Sequence, residues 1–274
     1  MAKIIPLSKS FVFSERFEHC IKSGDERCLE QLIEEIEKHL IIKPNDEDSL
    51  LVLVYALQYL GRTDEAIQRI ESYLSTYGGA SPYLILQLSS LYVDKLDFRK
   101  ALLIAENLER FCKESNLPEE FMNRVIAQKA VIFYNMRDIE SICKLFESFG
   151  EEKLTELLFN TLPSSTASNI LSFYRGYQKG LKLLSKNKWI REAFEKLKET
   201  YGKEHVYLVV ESDLEYPDWE TPCFYILREL PCLPIEELAK WKLKEEDKAF
   251  ELIEPFIRKA DELMLVQIGG SVRC

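Results

Sequence analysis

The 274-residue chain reads as mainly α-helical. Antiparallel helix pairs stacked as a solenoid fill residues 1–202, and a small α+β domain of ββαβ order fills residues 203–274. Three observations predict this. Residues 47–79 (EDSLLVLVYALQYLGRTDEAIQRIESYLSTYGG) carry two amphipathic stripes, broken at Leu60-Gly61-Arg62-Thr63-Asp64. One such hairpin cannot cover its own apolar face, and similar stripes recur on both sides of it. Past Gly202 the helical period gives way to β-branched and aromatic runs.

The elements follow in order. Residues 1–10 are an irregular lead-in containing Pro6. From Phe11 a helical stripe joins Phe13, Phe17, Cys20 and Ile21, and Lys22-Ser23-Gly24 ends it. Asp25 is suited to cap the next helix, whose stripe is Cys28, Leu29, Leu32, Ile33, Ile36 and Leu40. It must stop ahead of Pro44. Asp46 or Asp48 then caps the central hairpin, with Leu50, Leu53, Val54 and Leu57 on its first helix and Ala66, Ile67, Ile70, Tyr73 and Leu74 on its second. Ser81-Pro82, a capping residue followed by proline at the first helical position, opens a third pair. Its stripes are Leu84, Leu88, Leu91 and Tyr92, then Ala101, Leu102, Ile104, Ala105, Leu108 and Phe111. A fourth pair carries Phe121, Val125, Ala130 and Ile132, then Ile139, Ile142, Leu145 and Phe146. Two or three further helices reach Gly202, with Pro163-Ser164-Ser165 as a break. Residues 205–211 and 222–227 read as strands. A helix follows from Ile235, which Pro255 should kink or split, and residues 264–268 make a third strand. One face of so small a sheet is left bare, so it is expected to pack on the last helices or on a second copy.

Composition narrows the function. Hydrophobic residues make up 46% of the chain, which fits a packed core rather than disorder. A net charge of -10 disfavours nucleic acid and anionic membranes as partners. The lysine-rich stretch 179–191 is a local exception and reads as a solvated helix face. The longest apolar run, residues 50–57, is far short of the roughly 20 residues that span a bilayer, and the N-terminus lacks signal-peptide features. Seven cysteines are scattered without a Cys-x-x-Cys. Most read as small buried hydrophobes on helix stripes, and neither a zinc site nor a redox pair is supported. A cytoplasmic location is expected.

Spacing is the sharper signal. Cys28, Ala66, Ala101 and Ser141 are all small, lie just beyond a turn, and recur at intervals of 38, 35 and 40 residues. Two helices of a hairpin come closest there, which favours a small side chain. With Leu60-Gly61-Arg62-Thr63-Asp64-Glu65-Ala66 as its most typical segment, the chain resembles the tetratricopeptide (TPR) family over about residues 9–150. The resemblance implies a right-handed superhelical solenoid whose concave groove is lined by the first helix of each pair. It places lining positions at Asp48, Leu51, Tyr55, Gln58 and Tyr59, at Tyr83, Leu86, Ser90 and Asp94, and at Asn123, Ile126, Phe133 and Tyr134. Tyr55, Tyr59 and Phe133 are equally suited to the core between repeats. The family's tryptophan is absent, and Leu51 and Tyr55 stand where its carboxylate clamp has lysine and asparagine, so that clamp is not expected.

The implied role is a non-enzymatic scaffold or adaptor that holds a peptide or helix of another protein, without a cofactor. The C-terminal domain is expected to cap the stack and to offer a strand edge for a homodimer. A competing class is a metal-dependent, nuclease-like module. Glu211, Asp213 and Glu215 alternate, Asp218 and Glu220 follow, and such oxygen ligands suit a hard cation. The Pro217-Asp218 pair resembles that of metal nucleases, but the acidic-x-Lys strand that follows it there is missing from residues 223–229. Phosphate-cradling and hydrolase motifs are absent as well.

Overall fold

The computed structural model describes residues 8–79, 81–212, 220–228, 230–231, 233–260, 264–269 and 272–273. It forms two compact units. One holds the described residues up to Lys95 together with Leu103–Leu108; the other holds Leu96–Leu102 and the described residues from Glu109 onward. The change from helix to strand falls elsewhere, at Gly202.

In the first unit most helices begin at a side-chain cap. Helix α1 (Lys9–Ser23) starts at Ser8, whose hydroxyl accepts the Phe11 N–H, and stops at Gly24. Asp25 caps α2 (Glu26–Ile42) by accepting from Arg27 and Cys28 N–H. Asp46, of the two candidates, caps α3 (Glu47–Tyr59). It accepts from the Ser49 N–H at 3.2 Å and the Ser49 hydroxyl at 2.9 Å, and it lies 2.7 Å from Nε2 of the buried His39. Gly61, at φ 72° in the left-handed region open to glycine, turns the chain into α4 (Thr63–Tyr77). Ser81 then caps α5 (Pro82–Asp94), with Pro82 at the first position. Successive helices pack in pairs, and the first helices of the pairs also touch one another, α1 on α3 and α3 on α5.

Ala66 is fully buried, as a point of closest approach requires. In the first hairpin that point is covalent. Cys20 and Cys28 form a disulfide, with Cα atoms 5.6 Å apart. The reading of most cysteines as small buried hydrophobes without a redox pair is therefore corrected for these two. A turn between two antiparallel helices brings residues eight apart face to face, which no local motif announces. Cys112 and Cys223 are buried free thiols, and Cys143 is half-buried; burial pushes the Cys143 thiol up to about 11.

Helix α6 (Phe98–Glu114), capped by Asp97, contributes residues to each unit. In the second unit α7 (Glu119–Met136) ends at Arg137, which takes the left-handed conformation at φ 59°. Asp138 then caps α8 (Ile139–Phe149) by accepting the N–H and hydroxyl of Ser141. Helices α9 (Glu151–Thr161) and α10 (Ser164–Lys186) complete a cluster with them, and α11 (Lys188–Tyr201) leads to the sheet. Strands β1 (Val206–Ser212) and β2 (Glu220–Leu227) pair antiparallel, with Val206 opposite Ile226. A short β3 (Leu230–Pro231) and α12 (Ile235–Ala260) come next. Then β4 (Leu265–Gly269) lies parallel to β2, and β5 (Val272–Arg273) lies parallel to β3. Of the two outcomes expected at Pro255, a split does not occur: α12 runs on through it. That proline is exposed, on the side of the helix where the hydrogen bond it removes costs least.

Both faces of the sheet are covered within this unit. Tyr207, Val209, Cys223 and Tyr225 point into a core built by α7–α10. Their neighbours Val206, Leu208, Phe224 and Ile226 point into a core shared with α11 and α12. Side chains alternate across a strand, so the continuous apolar run of β2 is what burial on both faces requires. Helix α10 also closes the free edge of β1. A Cβ built on Gly176 would fall 2.4 Å from the Val210 carbonyl oxygen, and one on Gly180 would fall 2.1 Å from that of Leu208. Helix backbone therefore lies directly against strand backbone, where only glycine fits.

Candidate functional site

Helices α3 and α5 pack against each other in the first unit and bring most of the expected lining residues together. Asp48, Tyr55, Tyr59, Tyr83 and Asp94 are exposed, while Leu51, Gln58, Leu86 and Ser90 are half-buried among them. Tyr59 is 52% exposed and Tyr83 49%, a large aromatic area left in water. Tyr55 stacks on Phe17 of α1, with ring centroids 6.3 Å apart, so the aromatic face extends onto the neighbouring first helix. A row of side-chain amides joins α3 to α5. Buried Gln87 donates Nε2–H to Oε1 of Gln58 at 2.5 Å, and Gln58 donates its own Nε2–H to Oδ2 of Asp94 at 2.5 Å.

The charges that α3 and α5 bring to this face have one sign. Neither α3 nor α5 contains a lysine or an arginine. Glu47 is drawn inward, accepting the Tyr73 hydroxyl at 3.1 Å and the Ser81 N–H at 2.8 Å. Burial and that carboxylate push the Tyr73 phenol up to about 12. Lys95, next to Asp94, pairs instead with Asp64. Asp48 and Asp94 have no cationic partner among the described residues.

The fourth-pair positions lie in the second unit and divide. Asn123, Ile126 and Phe133 line a groove of about 580 Å³ with Met122, Leu145 and Phe149. Ile126 and Phe133 are buried and form its floor. At its rim Glu109 accepts from Lys113 at 2.6 Å and Lys129 at 2.8 Å. Burial pushes the Glu109 carboxyl up, but the two lysine hydrogen bonds outweigh it and hold the group below the usual range. Tyr134 is not among the residues lining that groove. Its ring carries the Arg137 guanidinium at 4.5 Å and meets Phe173 edge-on at 5.7 Å. Arg137 also lies over Phe173 and Tyr225, and the Arg137 side chain abuts Gly269 on β4.

No protein-family model matches this chain, and no curated protein matches it. The acidic stretch that suggested a metal is engaged at its two described ends. Glu211 accepts the Tyr225 hydroxyl, and Glu220 pairs with Lys179 of α10. Asp213, Glu215 and Asp218 lie outside the described residues. Among the described residues no group of three or more His, Cys, Asp or Glu is placed to hold a metal ion, and no helix is long and apolar enough to cross a membrane.

Two features of this candidate face were not read from the sequence. Gln87 was hidden inside the apolar run of α5, although a glutamine between Leu86 and Leu88 is itself a signal that a buried partner is needed. The absence of any cation from both α3 and α5 was visible in the sequence, but it acquires meaning only once the two helices are known to be neighbours.

Proposed function

We propose that this protein is a non-enzymatic interaction scaffold, built in its first half as a TPR-like right-handed solenoid. The face made by α1, α3 and α5 holds a peptide or helix of a partner protein in the cytoplasm. One observation carries the reading: exposed Tyr55, Tyr59 and Tyr83 share the adjacent first helices α3 and α5 with a hydrogen-bonded Gln87–Gln58–Asp94 row. Tyrosines supply contact area at little entropic cost, and polar groups fixed in advance set the register of what binds.

A photo-crosslinking amino acid at position 59 or 83, compared with one at Ile41, tests this in a lysate of the native host. Ile41 is 81% exposed but lies on α2, outside that face. One discrete protein adduct from positions 59 and 83, competed by unlabelled chain and missing from position 41, is the expected result. Equal labelling at all three positions, or none at 59 and 83, contradicts the proposal.

A further inference from the structure

Taking that binding face as given, we infer that the segment it holds is basic, with an arginine or lysine seated against Asp94 and the Tyr59 ring. The amide row points one way. Gln87 donates to Gln58 and Gln58 donates to Asp94, so its outer end is a carboxylate that can only accept. Hydrogen bonds arranged in series polarise one another, and Oδ2 is already occupied. What remains at Asp94 is one anionic oxygen in search of a donor.

Nothing on the two helices supplies that donor. Neither α3 nor α5 carries a cation, and the nearest lysine in sequence, Lys95, is engaged with Asp64. Asp48 adds a second exposed carboxylate at the start of α3. Tyr59, the residue after Gln58, presents an exposed ring, and a cation over a tyrosine ring gains roughly 0.5–1 kcal/mol at exposed sites. A guanidinium suits the pair best, since it stacks on a ring with its plane and donates to a carboxylate with its edge. An acidic or phosphorylated segment meets like charge here, and so does nucleic acid, in a chain of net charge -10.

Selection of random dodecapeptides on the immobilised full-length chain tests the inference and separates it from the reading beneath it. The expected result is enrichment of peptides bearing arginine or lysine, with affinity that falls as salt rises. Asp94→Asn, which keeps the shape and removes the charge, should weaken them about 1.5- to 5-fold, the range of an exposed charge contact. Tyr59→Ala should weaken them at least as much, and both variants change exposed side chains and keep the fold. Neutral or acidic peptides that depend on Tyr59 but ignore Asp94→Asn overturn the basic partner and leave the binding face intact. Peptides indifferent to both changes, or no enrichment at all, overturn both.

Discussion

Replacing Gly180 with alanine sets two effects of opposite sign against each other. By propensity alone, glycine to alanine inside a helix stabilises by about 1 kcal/mol. Against the β1 backbone the added methyl would sit 2.1 Å from the Leu208 carbonyl oxygen and 2.8 Å from its carbon. An ordinary carbon–oxygen contact needs about 3.3 Å, so α10 must retreat by roughly 1 Å. That retreat loosens Phe173 and Ile170 on one side of the sheet and Leu183 and Leu184 on the other. Overpacking of this kind costs about 1–3 kcal/mol, occasionally more, and here it acts on backbone that cannot rotate away. We expect a net loss of about 1–3 kcal/mol. Urea unfolding followed by circular dichroism reads it as a lower midpoint at unchanged slope. Ser185→Ala, exposed on the same helix, should stay within about 0.5 kcal/mol of the parent. If Gly180→Ala is as stable as the parent or more so, α10 does not lie on the strand edge as described.

Other outcomes follow from the caps and the disulfide. Burial alone would raise the Asp46 carboxyl, but the hydrogen bonds from His39 and Ser49 outweigh it and hold the group below its ordinary value. Its contribution is therefore full above about pH 4, where the unfolded group is already ionised, and is lost as pH falls through the lower folded value. Asp46→Asn should lower the neutral-pH urea midpoint and flatten the acid limb; an unchanged acid limb contradicts the role given to this carboxylate. Asp46→Ala should cost about 1–2 kcal/mol for the lost cap alone, measured by the same unfolding. The Cys20–Cys28 bridge closes a loop of sequence separation 8, worth about 2.5 kcal/mol in loop-closure entropy. Dithiothreitol should lower the thermal midpoint of the parent and leave that of Cys20→Ser unaffected, while equal responses mean that the two sulfurs are not joined.

The helices were legible because their signals are local. Gly61 and Gly78 close turns at positive φ, Asp25, Asp97 and Asp138 cap the helices they precede, and the stripe Leu50, Leu53, Val54 and Leu57 is buried in full. Strands β1, β2 and β4 were legible for the same reason, whereas the two-residue β3 and β5 are too short to carry a pattern. What escaped depends on which elements become neighbours. The fates of Cys20 and Cys28 follow from a hairpin's closest approach, not from a spacing rule. Gly176 and Gly180, four apart in a lysine-rich helix, cost helix stability and so ask for a close contact; that much was readable, but the identity of the contacting strand was not. The sheet was expected to pack on the last helices or on a second copy; it packs on α7–α10, and the choice between the two was not readable from the strands themselves. On the candidate face the expected positions of α3 and α5 do come together. Tyr134 instead joins the aromatic rings around Arg137, because the left-handed turn at the end of α7 points that guanidinium back over its ring.

Amide hydrogen exchange on the full chain, free and saturated with its crosslinked partner or a selected dodecapeptide, tests the scaffold reading most directly. Slowed exchange around residues 55–59 and 86–94, with α2 and α4 unchanged, is the result expected for a segment held on the first helices. Slowing confined to the groove floored by Ile126 and Phe133, with α3 and α5 exchanging as in the free chain, would contradict it.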